Sequence, residues 1–363
     1  MNAEQIAAGR RVAMIVAGGT GGHVLPGLAV AAELSRRGWH VVWVGNPDSM
    51  EARLVPAHGF PIRWVRFSGL RGKGLKALVL LPFTLLRAFW QSLRVLRAER
   101  PAVVLGMGGY VAFPGAMMAA LLGRPLVIHE QNSVAGLANR VLARVADRRL
   151  VAFPGVLPGA QHCGNPVRTA VLEIDPPAQR FAGRSGPLRI LVVGGSQGAA
   201  ILNEIVPQAL ELIAPQERPA VLHQCGRGQL ELVEGRYRAA GVAAEVREFI
   251  DDIDEAYADA DLVVCRAGAM TIAELAVVGV ASVLVPFPHA VDDHQSGNAR
   301  LLSEAGAAVL VAQGDLSATR LAQLLGERTR AQLLQMAESA RKLARREATD
   351  CVADACEAVA KDQ

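Results

Sequence analysis

The sequence has few aromatic residues, little net charge and few cysteines. Phe, Trp and Tyr make up 4% of the 363 residues, and the formal net charge is only +4. Nucleic-acid-binding proteins need a strongly basic surface, and those that bind single strands also need aromatic side chains on which bases stack. The composition therefore predicts no nucleic-acid partner.

The five cysteines are spread along the chain and form no Cys-x-x-Cys pair and no cysteine–histidine cluster at zinc spacing. They predict reduced, inert thiols in a cytosolic protein and no metal site. Long apolar runs are missing too, because the longest, residues 77–86, falls far short of the ~20 residues that span a bilayer. We therefore expect a protein that does not cross a membrane.

Hydrophobic residues make up 51% of the chain, enough to bury the cores of two domains. Short β-branched segments that end in glycine or polar residues alternate with longer helical patterns rich in Ala and Leu. The first such segments are "RVAMIVAGG", "VVWVGN", "AVVLGMGG" and "PLVIHEQN". Buried parallel strands joined by helices have this pattern, which predicts an α/β fold with doubly wound sheets.

The pattern of strand, glycine turn and amphipathic helix begins again near Pro187, in "PLRILVVGGSQGAAILNEIVPQAL". Two Rossmann-like domains are therefore expected, an N-terminal one at residues 11–166 and a C-terminal one at residues 167–344. The last helical stretch, about residues 345–363, has no strand pattern, and its periodicity does not decide which domain it packs against.

The first glycine loop, "AGGTGGHVLPG", leads into an apolar helix. It departs from the dinucleotide-binding fingerprint, because His23 stands where the third glycine belongs and no acid ends the second strand. Backbone N–H groups at such a helix start still suit an anion or a sugar oxygen. The helix dipole disfavours a protonated His23, so its neutral imidazole is a candidate general base; the alternative is that His23 only caps the turn.

A second constellation lies in residues 259–302, where a strand pattern runs into "RAGAMTIAEL". The amides of Ala269 and Met270 would face a phosphate at a helix N-terminus, and Glu274 could accept hydrogen bonds from both hydroxyls of a ribose. This layout suits a nucleotide. Taken alone, Glu274 would be interpreted as an ordinary acid near the start of a helix.

Together these motifs resemble those of the MurG family of glycosyltransferases. The matching segments are "GGTGGHVLPGLAVA", "GMGGYV", "HEQNSVAGLANR", "GNPVR", "VVGGSQGA", "EFIDDI", "CRAGAMTIAELAVVG" and "HQSGNA", which cover nearly the whole chain. The resemblance implies the GT-B architecture, in which two Rossmann-like domains face each other across a cleft, with a C-terminal helix that returns to the first domain. One departure is Phe113, where the family has glycine, and it leaves the role of Tyr110 open.

The resemblance also implies a reaction. GlcNAc would pass from UDP-GlcNAc to the C4 hydroxyl of MurNAc in lipid I, an undecaprenyl-diphospho-MurNAc-peptide, with inversion and without a metal or another cofactor. The product, lipid II, serves peptidoglycan synthesis and thereby cell shape and division. His23 would be the base, with His129 and Glu130 as the next candidates. Alternatives are a GT-B enzyme acting on a different glycolipid, an NAD-dependent oxidoreductase and a non-catalytic nucleotide-sugar-binding protein.

Both halves of the chain contribute to the implied UDP-GlcNAc site. Glu274 would hold the ribose, and Ile250 and Arg168 would lie near the uracil. Ser196 would meet the diphosphate, and Gln295 would contact the sugar hydroxyls. The full implied set is Thr20, Gly21, Gly22, Asn132, Arg168, Ser196, Ile250, Ala269, Met270, Thr271, Ile272, Ala273, Glu274 and Gln295.

Because lipid I carries a polyprenyl tail, the enzyme would work as a peripheral protein on the cytoplasmic face of the plasma membrane. Residues 67–100 mix cations such as Arg71, Lys73 and Lys76 with Leu, Phe and Trp. This composition is typical of interfacial helices that bind anionic lipid, although an ordinary helix with its apolar face in the core remains the alternative. The acid pairs at residues 251–252, 259–261 and 292–293 are expected to cap helices or face solvent rather than to hold a metal.

Overall fold

The computed structural model describes residues 11–67, 74–195 and 197–361, without the side chains of residues 74–78 and 361. The chain divides into two compact units. The first comprises Met1–Arg168 and Arg346–Gln363, and the second comprises Thr169–Arg345. Each unit is a parallel sheet with helices connecting its strands, so the predicted pair of Rossmann-like α/β domains is confirmed.

The sheet of the first unit has seven parallel strands in the order β3-β2-β1-β4-β5-β6-β7. The strands are β1 (Val12–Ala17), β2 (His40–Gly45), β3 (Ile62–Trp64), β4 (Val103–Gly108), β5 (Leu126–Glu130), β6 (Arg148–Val151) and β7 (Gln161–His162). The helices are α1 (Gly21–Arg36), α2 (Glu51–Ala57), α3 (Gly74–Glu99), α4 (Ala112–Leu121), α5 (Leu137–Leu142) and, from the end of the chain, α15 (Ala348–Lys361). Strand β1 is apolar throughout because it is buried on both faces, with Ile15 in one core cluster and Met14 in another.

The sheet of the second unit has six parallel strands in the order β10-β9-β8-β11-β12-β13. The strands are β8 (Arg189–Val193), β9 (Ala220–Gln224), β10 (Glu245–Arg247), β11 (Leu262–Cys265), β12 (Ala281–Leu284) and β13 (Ala308–Leu310). The helices are α6 (Thr169–Leu172), α7 (Pro177–Phe181), α8 (Ala200–Glu211), α9 (Leu230–Ala239), α10 (Ile253–Asp259), α11 (Ala269–Val278), α12 (His294–Ser303), α13 (Ala318–Gly326) and α14 (Arg330–Lys342). The core joins Ile190 and Val264 of the sheet to Leu202 of α8.

Both sheets reverse their strand order at a corresponding point. Strand β1 lies between β2 and β4 in the first unit, and β8 lies between β9 and β11 in the second. Open parallel sheets bind ligands at such points, beyond the carboxyl ends of the strands. The glycine loop at residues 18–22 follows β1 and the loop at residues 194–199 follows β8, so each predicted glycine loop lies at the switch point of its own unit.

The C-terminal helix α15 completes the core of the first unit. Val352 and Cys356 lie in the same core cluster as Ile15 of β1. At the edge of this contact, Arg37 forms an ion pair of 2.8 Å with Asp350 and Trp39 donates to Glu357 over 2.9 Å. The last helix is therefore part of the N-terminal domain in space, although it is remote from it in sequence.

A disulfide between Cys163 and Cys351 joins α15 to the segment after β7. The expectation that every cysteine is a reduced thiol is therefore wrong for this pair. Separation along the chain hid the contact, because the two cysteines are 188 positions apart in the sequence. Cys225, Cys265 and Cys356 are free and buried.

Helix α3 is amphipathic in an unusual way, because its exposed side is apolar. Ala88 and Leu96 are buried in the first unit, whereas Phe83 is 71% exposed and Leu86 70% exposed on the opposite side of the helix. The segment Val79–Glu99 is also long and apolar enough to cross a membrane, which counting uninterrupted apolar residues does not reveal.

The basic residues predicted for this helix are described only in part. Arg71 and Lys73 lie outside the described residues, as does the side chain of Lys76. Within the described part, the guanidinium of Arg94 lies 4.8 Å from the ring centroid of Trp90. Phe113, the departure from the family pattern, packs edge-on against Phe89 of α3 with ring centroids 6.2 Å apart, so its bulk is directed into the contact between α3 and α4.

Candidate active site

The glycine loop of the first unit places His23 in the first turn of α1. Thr20 is extended, with φ −132° and ψ 159°, and the helix begins at Gly21. The His23 amide donates to the Thr20 carbonyl over 3.1 Å. The N–H groups at Gly21 and Gly22 belong to the start of the helix, where no intrahelical acceptor exists, and they are suited to a sugar or phosphate oxygen.

Glu51, the first residue of α2, ties this loop to its neighbour. Its carboxylate is fully buried, and it accepts hydrogen bonds from the Gly19 amide at 3.0 Å and the Asn46 amide at 2.9 Å. The Gly19 amide is therefore occupied within the protein. Sequence reasoning missed this role because an acid at the start of a short helix is ordinary.

The loop after β4 approaches the same place closely and needs glycine to do so. Gly109 has φ +83°, and a Cβ there would lie 2.0 Å from the Gly18 carbonyl oxygen. Gly108 has φ +94°, and a Cβ there would lie 2.8 Å from His23 Nδ1. These two close approaches explain why the pair Gly108–Gly109 in "GMGG" is glycine.

Three side chains and a carbonyl form a hydrogen-bonded series that ends at His23. His23 Nδ1 lies 3.0 Å from Gln131 Oε1, and Gln131 Nε2 lies 3.1 Å from His129 Nδ1. His129 Nε2 in turn lies 2.8 Å from the Gly164 carbonyl oxygen. His23 and His129 were singled out from the sequence as candidate bases, but Gln131 was not, because it looks like any polar residue at the end of a strand.

His129 and Glu130 are the other candidate bases, and both side chains are engaged in hydrogen bonds within the protein. Burial lowers the pKa of His129 to about 4, and both of its ring nitrogens are bonded within the protein. The buried Glu130 carboxylate accepts from the amides of Asn132 at 3.0 Å and Gly136 at 3.1 Å. It therefore shapes the loop that carries Asn132, and neither side chain presents an atom suited to take a proton from a substrate.

In the second unit, α11 begins at Ala269. The preceding residue, Gly268, is extended, with φ −63° and ψ 145°, and has no side chain that could cap the helix. The predicted residues Ala269, Met270, Thr271, Ile272 and Ala273 form the first turns of this helix. Their leading N–H groups and the positive end of the helix dipole favour an anion.

Glu274 lies on the same helix and is almost completely buried. The hydroxyl of the buried Tyr257 in α10 donates to Glu274 Oε2 over 3.2 Å. A hydrogen bond of this kind holds the carboxylate in one orientation, as a residue that recognises a ribose requires.

Gln295 and Arg266 connect the loops around the start of α11. Gln295 Oε1 accepts from the amides of Ala267 at 3.3 Å and Phe287 at 2.9 Å, so the group it can offer a sugar is its Nε2. The guanidinium of Arg266 donates to the Val285 carbonyl at 3.0 Å, and burial lowers its pKa. Arg266 also donates to Gln313 Oε1 at 2.7 Å, and it was not predicted because its acceptors lie far from it in the sequence.

The remaining predicted residues have different surroundings. Ile250 is buried in the loop before α10. Arg168 is the last residue of the first unit before the chain enters the second. Ser196 lies outside the described residues. The two residues predicted for the uracil, Ile250 and Arg168, thus belong to different units.

One acid of the predicted pairs corrects an expectation. Asp261 is fully buried and forms ion pairs with Arg184 at 2.6 Å and Arg330 at 3.0 Å, instead of capping a helix or facing solvent. Asp259 is exposed and pairs with Arg189. In the described ranges, no group of three or more His, Cys, Asp and Glu residues is placed to hold a metal ion.

Two family models match this chain: the glycosyltransferase family 28 N-terminal domain over residues 13–151 and the glycosyltransferase family 28 C-terminal domain over residues 189–354. These matches agree with the two units and their glycine loops. Fold and sites together define a glycosyltransferase of the GT-B class.

More specific relatives match almost the whole chain. The UDP-N-acetylglucosamine–N-acetylmuramyl-(pentapeptide) pyrophosphoryl-undecaprenol N-acetylglucosamine transferase of Burkholderia ambifaria (strain MC40-6) is 60% identical over 357 residues, 97% of each chain. The enzyme of that name from Cupriavidus necator is 60% identical over 354 residues, 98% of this chain and 99% of that one. The crystal structure of Acinetobacter baumannii MurG has a TM-score of 0.83 and 40% identity, covering 96% of this chain and 99% of that one. The chain belongs to this MurG family of N-acetylglucosamine transferases.

Proposed function

We propose that this protein transfers GlcNAc from UDP-GlcNAc to the C4 hydroxyl of MurNAc in lipid I, with inversion at the anomeric carbon, and so makes lipid II for peptidoglycan synthesis. The names of the relatives support the choice of donor and acceptor. The observation that carries the chemistry is the placement of His23, whose Nδ1 bonds Gln131 and whose Nε2 is left to meet an acceptor hydroxyl.

In the proposed reaction the C4 oxygen forms a bond to the anomeric carbon while the bond from that carbon to UDP breaks. His23 Nε2 takes the hydroxyl proton, and the bonding electrons leave with the diphosphate. General-base help of this kind is worth about 10²- to 10⁴-fold in rate. Negative charge on the leaving diphosphate is stabilised by the positive end of the α11 dipole, at Ala269 and Met270, without a metal or another cofactor.

The donor site lies mainly on the second unit in this proposal. Glu274, oriented by Tyr257, accepts from the two ribose hydroxyls. Gln295 donates through Nε2 to a sugar hydroxyl, because its Oε1 is already bonded to backbone amides. Ile250, Arg168 and Ser196 keep their proposed contacts with the uracil and diphosphate, and Thr20, Gly21, Gly22 and Asn132 contact the sugar and acceptor side.

The enzyme works as a peripheral protein on the cytoplasmic face of the plasma membrane in this proposal, without a nucleic-acid partner. Support comes from the exposed apolar side of α3, where Phe83 and Leu86 are available to lipid and Arg94 is near enough to meet an anionic headgroup. Phe83→Ser combined with Leu86→Ser should reduce sedimentation with anionic vesicles. Leu212→Ser, which changes an exposed leucine of the second unit, is the matched control, and equal binding by both variants would contradict the membrane contact.

The decisive experiment measures transfer of radiolabelled GlcNAc from UDP-GlcNAc to a short-chain lipid I analogue. A glycolipid without the muramyl peptide serves as a competing acceptor. Exclusive transfer to the lipid I analogue is the expected result, and transfer to the other glycolipid would favour the second candidate, a GT-B enzyme with a different acceptor. EDTA should leave turnover unchanged; loss of turnover that Mg²⁺ restores would overturn the metal-free scheme.

His23→Gln tests the base in the same assay. The expected loss in kcat is about 10²- to 10⁴-fold, with unchanged binding of UDP, because only proton transfer is removed. His58→Gln is the control, since His58 is exposed and bonds only the Leu54 carbonyl of its own helix among the contacts that the structure describes. Near-normal turnover by His23→Gln would exclude His23 as the base.

A further inference from the structure

We propose that Gln131 and His129 are positioning residues that keep the imidazole proton of His23 on Nδ1, so that Nε2 carries the lone pair. The catalytic consequence rests on the proposed function, whereas the protonation pattern itself does not depend on any substrate. It follows from the order of donors and acceptors between Gly164 and His23.

The series begins at a backbone carbonyl oxygen, which has no hydrogen to donate. The Gly164 carbonyl oxygen can only accept, so His129 Nε2, 2.8 Å away, must carry a hydrogen. His129 is completely buried, and burial lowers its pKa to about 4, so the ring is neutral at physiological pH. A neutral imidazole has one hydrogen on nitrogen, and His129 Nδ1 is therefore an acceptor.

That acceptor decides the orientation of the Gln131 carboxamide. Gln131 Nε2 lies 3.1 Å from His129 Nδ1 and 3.3 Å from the His129 carbonyl oxygen, and both partners accept. The NH₂ group of Gln131 therefore faces His129, and its oxygen faces the other way. The Gln131 backbone is held as well, because Asn165 Nδ2 donates to the Gln131 carbonyl over 3.0 Å.

The oxygen of Gln131 in turn decides the tautomer of His23. Oε1 lies 3.0 Å from His23 Nδ1 and can only accept, so Nδ1 must be the nitrogen that carries hydrogen. When His23 is neutral its lone pair is then on Nε2. Free histidine prefers the opposite tautomer, with hydrogen on Nε2, so the series reverses an intrinsic preference in the direction that a base at Nε2 requires.

The ionisable groups on the surrounding elements leave this order intact. His129 is neutral, and Glu130 next to it is committed to the amides of Asn132 and Gly136. Glu51 on α2 is committed to the amides of Gly19 and Asn46. On the loop after β4, the ionisable residue nearest to Gly108 is Tyr110, and its side chain is largely exposed. Among the described residues, the hydrogen-bond partner of the His23 ring is thus the neutral Gln131.

The test is ¹⁵N NMR of the full chain labelled at histidine, with long-range proton–nitrogen correlations that distinguish a protonated ring nitrogen from one with a lone pair. His23 is identified by the signals that disappear in His23→Gln. We expect hydrogen on Nδ1 of His23 in the wild type and a shift toward the Nε2 tautomer in Gln131→Met. Gln91→Met, the same substitution on α3, should leave the His23 pattern unchanged, and unaltered signals of His162, which lies in the first unit beside the Ala152 carbonyl, report that this unit is folded in Gln131→Met.

Kinetics with the lipid I analogue provide the second readout. Gln131→Met should lower kcat about 10-fold or more with little change in KM for UDP-GlcNAc, a part of the 10²- to 10⁴-fold contribution of a general base. Gln131→Glu keeps an acceptor for His23 Nδ1–H and should restore part of the lost rate. Its carboxylate also stabilises the imidazolium, so the acid limb of its pH–kcat profile should move to higher pH. A merely structural role for Gln131 would not move this limb.

Each outcome decides the proposal. Hydrogen on Nε2 of wild-type His23, or a tautomer that Gln131→Met leaves unchanged, overturns it. A changed tautomer with unchanged kcat overturns the positioning role. If the wild type transfers no GlcNAc to the lipid I analogue, the proposed function fails, while the NMR result still decides whether Gln131 and His129 control the His23 proton.

Discussion

At Gly108 a single methyl group would test whether the orientation of His23 matters. A Cβ there would lie 2.8 Å from His23 Nδ1 and 3.4 Å from Gln131 Oε1, the first of which is closer than van der Waals contact allows. The imidazole is the more mobile partner, so it must turn away in Gly108→Ala. This movement breaks the 3.0 Å hydrogen bond between His23 and Gln131.

Gly38 provides a matched control. Its φ of +90° is close to the +94° of Gly108, but a Cβ at Gly38 would meet no atom within 4 Å. Both alanine variants therefore carry a similar backbone cost of about 1–2 kcal/mol. For a domain of this size that cost lowers Tm by roughly 2–8 °C in each. Only Gly108→Ala also displaces the proposed base.

The assay is GlcNAc transfer at saturating UDP-GlcNAc, with thermal unfolding measured by circular dichroism on the same samples. We expect kcat to fall about 100-fold in Gly108→Ala, a change of about 2.7 kcal/mol in activation free energy, because misplacing a reacting group by about 1 Å has effects of this size. Gly38→Ala should keep its kcat. Equal kcat values for the two variants, whether both normal or both low, would refute the link between Gly108 and His23.

Three further predictions concern stability. Glu51→Gln should lower the free energy of unfolding in urea by about 1–3 kcal/mol, because an amide cannot accept from both the Gly19 and Asn46 N–H groups. The control is Glu99→Gln, which loses an ion pair with the half-exposed Arg63 and should lower that free energy by less than about 1 kcal/mol. Equal losses in the two variants would contradict the role of Glu51. Burial lowers the pKa of His129 and of His223 to about 4 from an ordinary 6.5. Because the unfolded chain binds these protons more readily, the contribution of each histidine to stability is full above about pH 6.5, falls by about 1.4 kcal/mol per pH unit toward pH 4 and changes no further below pH 4. His223→Gln should flatten the dependence of the stability of the second unit on pH. An unchanged pH dependence would show that His223 does not titrate in this way. Reduction of the Cys163–Cys351 disulfide should lower the stability of the first unit by up to about 5 kcal/mol, as expected for a cross-link that closes so long a loop. The stability of Cys351→Ser should not change with reductant. A wild type whose stability is equally unchanged by reductant would contradict the cross-link.

Much of the fold was predictable from local pattern. The apolar segments that became β1, β2, β4 and β5 end in glycine or polar residues, and the restart near Pro187 marked the second Rossmann-like unit. Strands β3, β7 and β10 were not indicated, because two or three residues are too few to show a period. The exposed apolar side of α3 was also ambiguous, since a helix buried in a core has the same composition.

The candidate site was predictable only where a residue stands in a distinctive motif. His23 and Glu274 follow glycine-containing turns at helix starts, which is a local signal. Gln131 lies 108 residues from the imidazole it bonds, and Glu51 lies 32 residues from the Gly19 amide. Neither has a local signal, because its role depends on which loop it meets.

By itself the sequence determined the α/β class, the two glycine loops and the family, because alternation of apolar segments and the spacing of glycines are properties of neighbouring residues. Three features were decided by the tertiary structure alone. His129 and Glu130 bond backbone groups of neighbouring loops, Cys163 is joined to Cys351, and the proton of His23 is placed on one ring nitrogen by its partner. These depend on distances and burial among residues far apart in the chain. A tautomer is set by the partner that a ring nitrogen faces, and that partner is known only once the strands are side by side.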